Sequence, residues 1–356
     1  MKKTLLATAI AGALGVSAAA QAATVYDQDG TRLDLYGRIA LGISGGGERT
    51  EVDDNGDVVK TNGTEFRDVF SRFGLRGSQR ISDDLTVFGN FELRPQLDER
   101  RRSGEEGSGI DDIRNSYLGV RSNTFGTVQA GNFDSFYLDT VAAPFDVYID
   151  KGLELTGGAH HARGDSLGYI SPNLEGFQVY LMGKHYSGNG EPAGSPGSNS
   201  SKINTAGGAV YEVDALRLAL GYAQDRESVG GTGENIYGGT ASYEFIPGFS
   251  GRLGYEYQSD VEDKIGVGMS YAINEWSFNL DYYHISADGK TKEDRQAADL
   301  STSRDAWAAG AYYKVSSNFD LFAEVYESDQ DRIDNRASLR STRDSVYWLA
   351  GARYHF

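Results

Sequence analysis

The sequence predicts an all-β fold: a sixteen-stranded antiparallel transmembrane β-barrel whose third long loop folds inward. Three observations carry this. Runs of alternating apolar and polar residues recur from end to end, the period of a strand with two unlike faces. Short turns alternate with long polar loops along the whole chain. One stretch, Asn132 to Arg163, drops this rhythm for about thirty residues, and a structureless loop of that length inside a compact fold is usually functional. That stretch carries Phe133, Phe136, Tyr137, Val141, Phe145, Tyr148 and Leu153, enough apolar surface to need a packing partner. Acids are set among them at Asp139, Asp146, Asp150 and Glu154. It reads as a segment enclosed by the rest of the chain.

The first 22 residues, MKKTLLATAIAGALGVSAAAQA, have Lys2 and Lys3, an apolar middle and a small-residue end. This is the pattern of a removable secretory signal, and it leaves residues 23–356 as a single barrel domain. No later stretch is apolar enough for a transmembrane helix. The chain has no Cys, so disulfides cannot hold it. Its formal net charge of −17 argues against nucleic acid as a partner. The 46 Gly, 22 Tyr and 16 Phe suit many strands with aromatic ends and tight corners.

Taken in order, the opening run reaches Ser44, with Leu33, Leu35, Ile39, Leu41 and Ile43 on one face and Arg32, Asp34, Tyr36, Arg38 and Ala40 on the other. FRDVFSRFGLRGSQRI and LTVFGNFELRPQL flank a break at Ser82–Asp84. DDIRNSYLGVRS and GTVQAGNF flank Asn123–Thr124. Beyond the inward stretch, five more pairs of runs meet at Asn173–Gly176, Asp214, Pro247–Gly248, Asn274–Glu275 and Ser316–Asn318, before the final SVYWLAGARYHF. Seven joined pairs plus the first and last runs make sixteen strands. Short turns at one end and long loops at the other, with an even strand count, mark a barrel in an outer membrane. A soluble sandwich or propeller also alternates. Against it stand aromatics near run ends, such as Tyr255, Trp276, Tyr283, Tyr312, Tyr326 and Tyr347, read as interface girdles. Charges in mid-strand, at Arg72, Glu92, Arg252 and Asp281, demand a wet interior.

Four phrases then carry a resemblance: VYDQDGTRLDLYGRI, SRFGLRGSQRISDDLTVFGNFE, NSYLGVRSNTFGTVQAGNFDSFYLD and the terminal GARYHF. In this order they resemble the Gram-negative general porins, the trimeric, sixteen-stranded outer-membrane family. The resemblance implies a water-filled diffusion channel for ions and small hydrophilic solutes, with a homotrimeric assembly in the cell outer membrane. It implies that loop acids face a ladder of basic residues across the narrowest point. By motif, the ladder falls on Arg38, Arg72, Arg114 and Arg163. The loop acids fall on Asp146 and Asp150, with Asp139 and Glu154 as second choices, because PFDVYIDKG departs from the family's phrase. The loop cluster Arg100, Arg101 and Arg102 is read as a solvated surface that touches lipopolysaccharide or a neighbouring subunit; the resemblance implies a C-terminal strand read by the outer-membrane insertion machinery through Trp348, Tyr354 and Phe356. A substrate-selective porin of the same architecture is the alternative, with Tyr117, Tyr137 and Tyr148 as its candidate lumenal aromatics.

An enzyme is the rival class. Of the five histidines, His160 and His161 lie in the inward stretch near Asp165 and Ser166, but adjacency is not a triad. No metal-ligand or phosphate-loop spacing is present, so no catalytic residue, cofactor or metal is expected.

Overall fold

The computed structural model describes residues 22–47, 49–52, 58–61, 63–98, 109–157, 165–186, 202–225, 234–328, 332–334, 339–341 and 346–356. The expected signal, apart from Ala22, lies outside them. The elements begin with β1 (Ala23–Gln28), β2 (Thr31–Gly46), a small hairpin of β3 (Arg49–Val52) and β4 (Val58–Thr61), then β5 (Glu65–Asp68), β6 (Arg72–Arg80) and β7 (Leu85–Pro95). Next come β8 (Ile110–Ser122), β9 (Gly126–Asn132), β10 (Ser166–Ile170), β11 (Phe177–Tyr186), β12 (Lys202–Val213), β13 (Leu216–Gln224), β14 (Asn235–Ile246) and β15 (Phe249–Gln258). The chain ends with β16 (Glu262–Ile273), β17 (Trp276–Ala287), α1 (Gly289–Ala297), β18 (Ser303–Lys314), β19 (Phe319–Ser328), the outer hairpin β20 (Arg332–Asp334) and β21 (Leu339–Ser341), and β22 (Tyr347–His355).

Each wall strand pairs antiparallel with the next, and β2 pairs with β22 to close the ring. Counting β5 with β6, and β1 with β22, as interrupted strands gives the sixteen expected, a closed barrel with no open edge in lipid. Two parts of the first half differ from the expected runs. The opening run is a hairpin: Asp29 and Gly30 both take positive φ, as a two-residue Asp-Gly turn requires, and β1 folds back along β2. There it continues the line of β22, because β22 pairs with Arg38–Gly46 and β1 with Thr31–Leu35. The second run breaks at Val69–Ser71, where Phe70 has φ 59°.

Alternation sorts the side chains by solvent. Ile39, Leu75, Leu118, Leu220, Ile265 and Leu280 point outward and are exposed, as lipid contact requires. An aromatic belt runs along the short-turn end through Tyr243, Phe245, Phe249, Tyr271, Trp276 and Tyr313. Four aromatics read as girdle residues face inward instead. Tyr283, Tyr312, Tyr326 and Tyr347 are buried or partly buried against the loop, because their parity puts them on the lumenal face.

Two strands set the position of the site. β9 has 7 residues and β10 has 5, against 9 to 16 for every other uninterrupted strand of the wall. Their pairing ends at Gly131 and Ser166. The chain between them therefore leaves the wall part-way up and turns into the lumen. Small residues make room for it. A Cβ at Gly208 would lie 2.5 Å from Thr140 Oγ1, one at Gly238 1.9 Å from the Tyr137 hydroxyl, and one at Gly254 2.4 Å from Leu155. The inner faces of β12 to β15 are thus a shallow berth shaped for this one segment.

Candidate functional site

The inward segment starts with a helical turn. The Asp139 N–H donates to the Ser135 carbonyl, and the Thr140 hydroxyl donates to the Phe136 carbonyl at 2.5 Å. A π-helical turn over Leu138–Ala142 runs into a 3-10 turn over Ala143–Phe145 that contains Pro144. Phe136, Tyr137, Val141 and Phe145 are buried against the wall. This apolar underside explains why a loop so rich in aromatics stays in place.

Polar anchors fix it further. The Tyr137 hydroxyl and the Gly157 N–H each donate to Glu256 at 2.9 Å. The N–H groups of Ile149 and Asp150 donate to Glu324 at 2.6 and 3.3 Å. Tyr148 donates its hydroxyl to the Ala308 carbonyl, and Arg217 donates to the Thr140 carbonyl. Beneath Phe145, Arg252 forms a buried two-pronged pair with Asp281, both contacts 2.7 Å. Gly268 lies between them in register, and a side chain there would strike both.

The predicted acids separate into two kinds. Asp150 is held by Arg67 at 2.9 Å and by the Tyr347 hydroxyl at 2.5 Å. Glu154 accepts from Arg304 at 2.9 Å and from the Tyr326 hydroxyl. Both are locked against the barrel and act as anchors. Asp139 and Asp146 lie on the lumenal side of the loop, inside the encircling wall, and among the described residues neither carboxylate has a hydrogen-bond or ion-pair partner. Burial within the encircling wall holds the Asp146 carboxyl above its ordinary range, while Arg72, Arg114 and Arg38 pull it down and Asp134 pushes it up. Asp139 is likewise raised, by burial first, then by Asp134 and Asp146, with Arg114 opposing.

Three of the four arginines placed by motif, Arg38, Arg72 and Arg114, lie close together. Arg38 and Arg72 are directly paired in register. Arg72, Arg353 and Arg114 all act on Arg38 as like charges, and Arg94 acts on Arg72. Arg114 reaches this group through a bulge: Glu92 pairs with Asn115 and Leu93 with Ile113, so Arg114 is the extra residue. Without that bulge, alternation would turn it toward lipid, and re-aiming a side chain is a recurrent use of such a kink. Arg114 donates to Glu92 at 3.0 Å and to Asp134, and Arg72 stands 4.0 Å from Glu92. Arg163 lies outside the described residues. Sequence reasoning missed Arg94, Arg353 and Asp134. Strand parity around Arg353 in GARYHF could have found it.

At the seam, Phe356 exchanges backbone hydrogen bonds with Gly37 at 2.8 and 3.1 Å, and its ring covers Gly37. Trp348 and Tyr354 face outward. Among the described residues the enzyme reading finds one alignment, on the outer wall: Ser286 Oγ to His284 Nε2 at 3.2 Å, and His284 Nδ1 to Asp305 at 2.8 Å. The following N–H groups, of Ala287 and Asp288, donate to Thr302 and Val261 carbonyls, which leaves them unavailable for an oxyanion. His160 and His161 lie outside the described residues.

A family model described as Gram-negative porin matches residues 7–355. The chain belongs to the Gram-negative porin family. This porin is 30% identical over 319 residues to the "Monosaccharide porin" of Halomonas sp, covering 82% of this chain and 81% of that one. It is 25% identical over 298 residues to outer membrane porin F of Escherichia coli K12, covering 79% and 67%. Its fold is similar to that of the Salmonella typhi OmpF–daunomycin complex, with TM-score 0.67, 18% identity and coverage of 94% and 100%. The anion-selective porin from Comamonas acidovorans gives TM-score 0.67 at 18% identity, with coverage of 92% and 100%. This porin is therefore an outer-membrane diffusion channel, and its family acts by passive transport, not catalysis.

Proposed function

We propose that this porin passes ions and small hydrophilic solutes, up to monosaccharide size, through a gap bounded by unlike charges. Arg38, Arg72 and Arg114 form one side, joined by Arg163, and Asp146 and Asp139 form the other. The observation that carries this is the pair of unpartnered loop carboxylates within the field of the ladder. A transverse field of this kind sorts solutes by charge, and the loop's bulk sorts them by size. The solute size rests on the name of the Halomonas relative. A general channel is favoured over a substrate-selective one because Tyr137 and Tyr148 spend their hydroxyls on Glu256 and Ala308.

We also infer a homotrimer in contact with lipopolysaccharide, exported by the signal in residues 1–22 and inserted through its Phe356-terminated strand. The test is the reversal potential of single channels in a salt gradient, with Asp146→Asn/Asp139→Asn beside wild type. The double variant should move toward anions by about two- to four-fold, since one charge at ~10 Å is worth about 0.4 kcal/mol in water. An unchanged potential would sink the reading.

A further inference from the structure

Two motifs quoted for their family resemblance, FGLRG and LGVRS, are not used by the constriction. Each places an arginine two residues after a glycine, Gly74 with Arg76 and Gly119 with Arg121. The structure gives both the same three-layer construction. Tyr36 is paired with Gly74 and lays its ring over that glycine, 2.3 Å from where a Cβ would be. The Arg76 guanidinium lies over the Tyr36 ring, 4.8 Å from its centroid. Phe88 is paired with Gly119 and lays its ring over it, 2.5 Å from the Cβ position. The Arg121 guanidinium lies over the Phe88 ring at 5.2 Å. A glycine floor, an aromatic layer and a flat cation are stacked twice on one wall.

These arginines stand on the short-turn side of the ladder. Arg76 is four residues below Arg72 on β6, a step of ~13 Å, and Arg121 is next to the turn that ends β8. Short turns face the periplasm in such barrels. Among the described residues neither arginine forms an ion pair. The carboxylate that acts on Arg76, Asp34, is already gripped by Arg32 at 2.8 and 2.9 Å. A ring holds a guanidinium in place without cancelling its charge, as a carboxylate would. Beside the two cations, Tyr36 donates its hydroxyl to Asn90 at 2.8 Å with the Glu92 carboxylate also close to it, and the Asn90 amide donates to the Tyr117 hydroxyl at 3.3 Å.

We propose that Arg76 and Arg121 form a holding shelf for small oxyanions, carboxylates above all, in the periplasmic vestibule, one step below the constriction. An anion leaving the ladder meets Arg76 next and Arg121 last. The positive wall is thereby extended from the narrowest point to the periplasmic mouth. This deepens the proposed function and rests on the lumen being open to solutes.

The test uses the intact channel in planar bilayers, with wild type, Arg76→Gln/Arg121→Gln and Asp146→Asn compared. Outer-membrane yield and heat-modifiability of each variant are checked first. Citrate, a multivalent carboxylate, is added to one side at a time, and reversal potentials are read in a KCl gradient. The double arginine variant is expected to shift toward cations by about two-fold and to lose current block by citrate from the periplasmic side, with block from the external side retained. Arg121→Lys, which keeps the charge but stacks less well, should retain part of the block. Unchanged potential and unchanged periplasmic block in the double variant overturn the shelf. If Asp146→Asn still shifts the potential, the constriction reading stands without it. If Asp146→Asn is silent while the arginine variant shifts, the shelf stands and the loop assignment fails.

Discussion

Adding one methyl group at Gly238 tests whether the berth sets the width of the pore. In Gly238→Ala the new Cβ would lie 1.9 Å from the Tyr137 hydroxyl and 2.9 Å from Val141 Cγ1. Ordinary contact begins at 3.4 Å, so Tyr137 must retreat by roughly 1.5 Å. Retreat stretches its 2.9 Å hydrogen bond to the Glu256 carboxylate. A bond to a charged partner is worth ~1.5–3 kcal/mol and overpacking costs ~1–3 kcal/mol. Even 1–2 kcal/mol raises the population of an unseated loop by about 5- to 30-fold. The barrel's own ladders are untouched, so the protein should still insert. Single-channel recordings should then show lower mean conductance with added flicker between levels. Gly89→Ala is the control, because its Cβ finds nothing nearer than 3.6 Å. If Gly238→Ala conducts as steadily as Gly89→Ala, the loop is not held by this fit, and the argument from the glycine berth is wrong.

Further expectations follow from the two kinds of acid. Asp150→Asn should leave ion preference nearly unchanged yet make the current noisy, since it breaks an anchor to Arg67 whose loss costs ~3–5 kcal/mol; a selectivity shift as large as that of Asp146→Asn would contradict this. Asp139 and Asp146 are held above the ordinary carboxylate range, so they gain protons, and the gap loses negative charge, while the pH is still above ~4. Reversal potentials should therefore move toward anions on acidification, starting above that value, and Asp139→Asn/Asp146→Asn should flatten the change. Deleting Phe356 removes the backbone exchange with Gly37 and should sharply lower the amount inserted, read by quantitative blotting of outer membranes. In mild detergent without heating, the protein should run as a trimer, and a sole monomer band would refute that assembly.

The wall was readable in the sequence because alternation is local: one residue in, the next out, with turn residues between. The Asp29–Gly30 hairpin also left a local signal, but the alternation carried straight across it and hid the turn. Arg38 was placed by motif with parity agreeing, and Arg72 by motif as a mid-strand charge. Arg114 came from motif alone, since the bulge that turns it inward breaks the very pattern that parity uses. The loop acids were the least legible. Whether an acid is locked or free depends on Arg67, Arg304, Tyr326 and Tyr347, which are distant in sequence and meet it only after the chain has circled. The same distance explains the inward tyrosines, whose place near strand ends looked like an interface belt.

The locking of Asp150 has a bearing on how the channel comes into being. Its partners are Arg67, 83 positions earlier, and Tyr347, 197 positions later. Tyr347 also accepts from Arg67 at 2.6 Å, across the junction where the last strand meets the first. The three side chains can come together only once that junction is sealed. An unsealed intermediate thus has a loose loop and an ungauged bore, and calibration of the bore coincides with completion of the ring. Quality control of the finished channel is in this sense written into one carboxylate: a barrel that conducts at its proper level has already proved that its two ends have met.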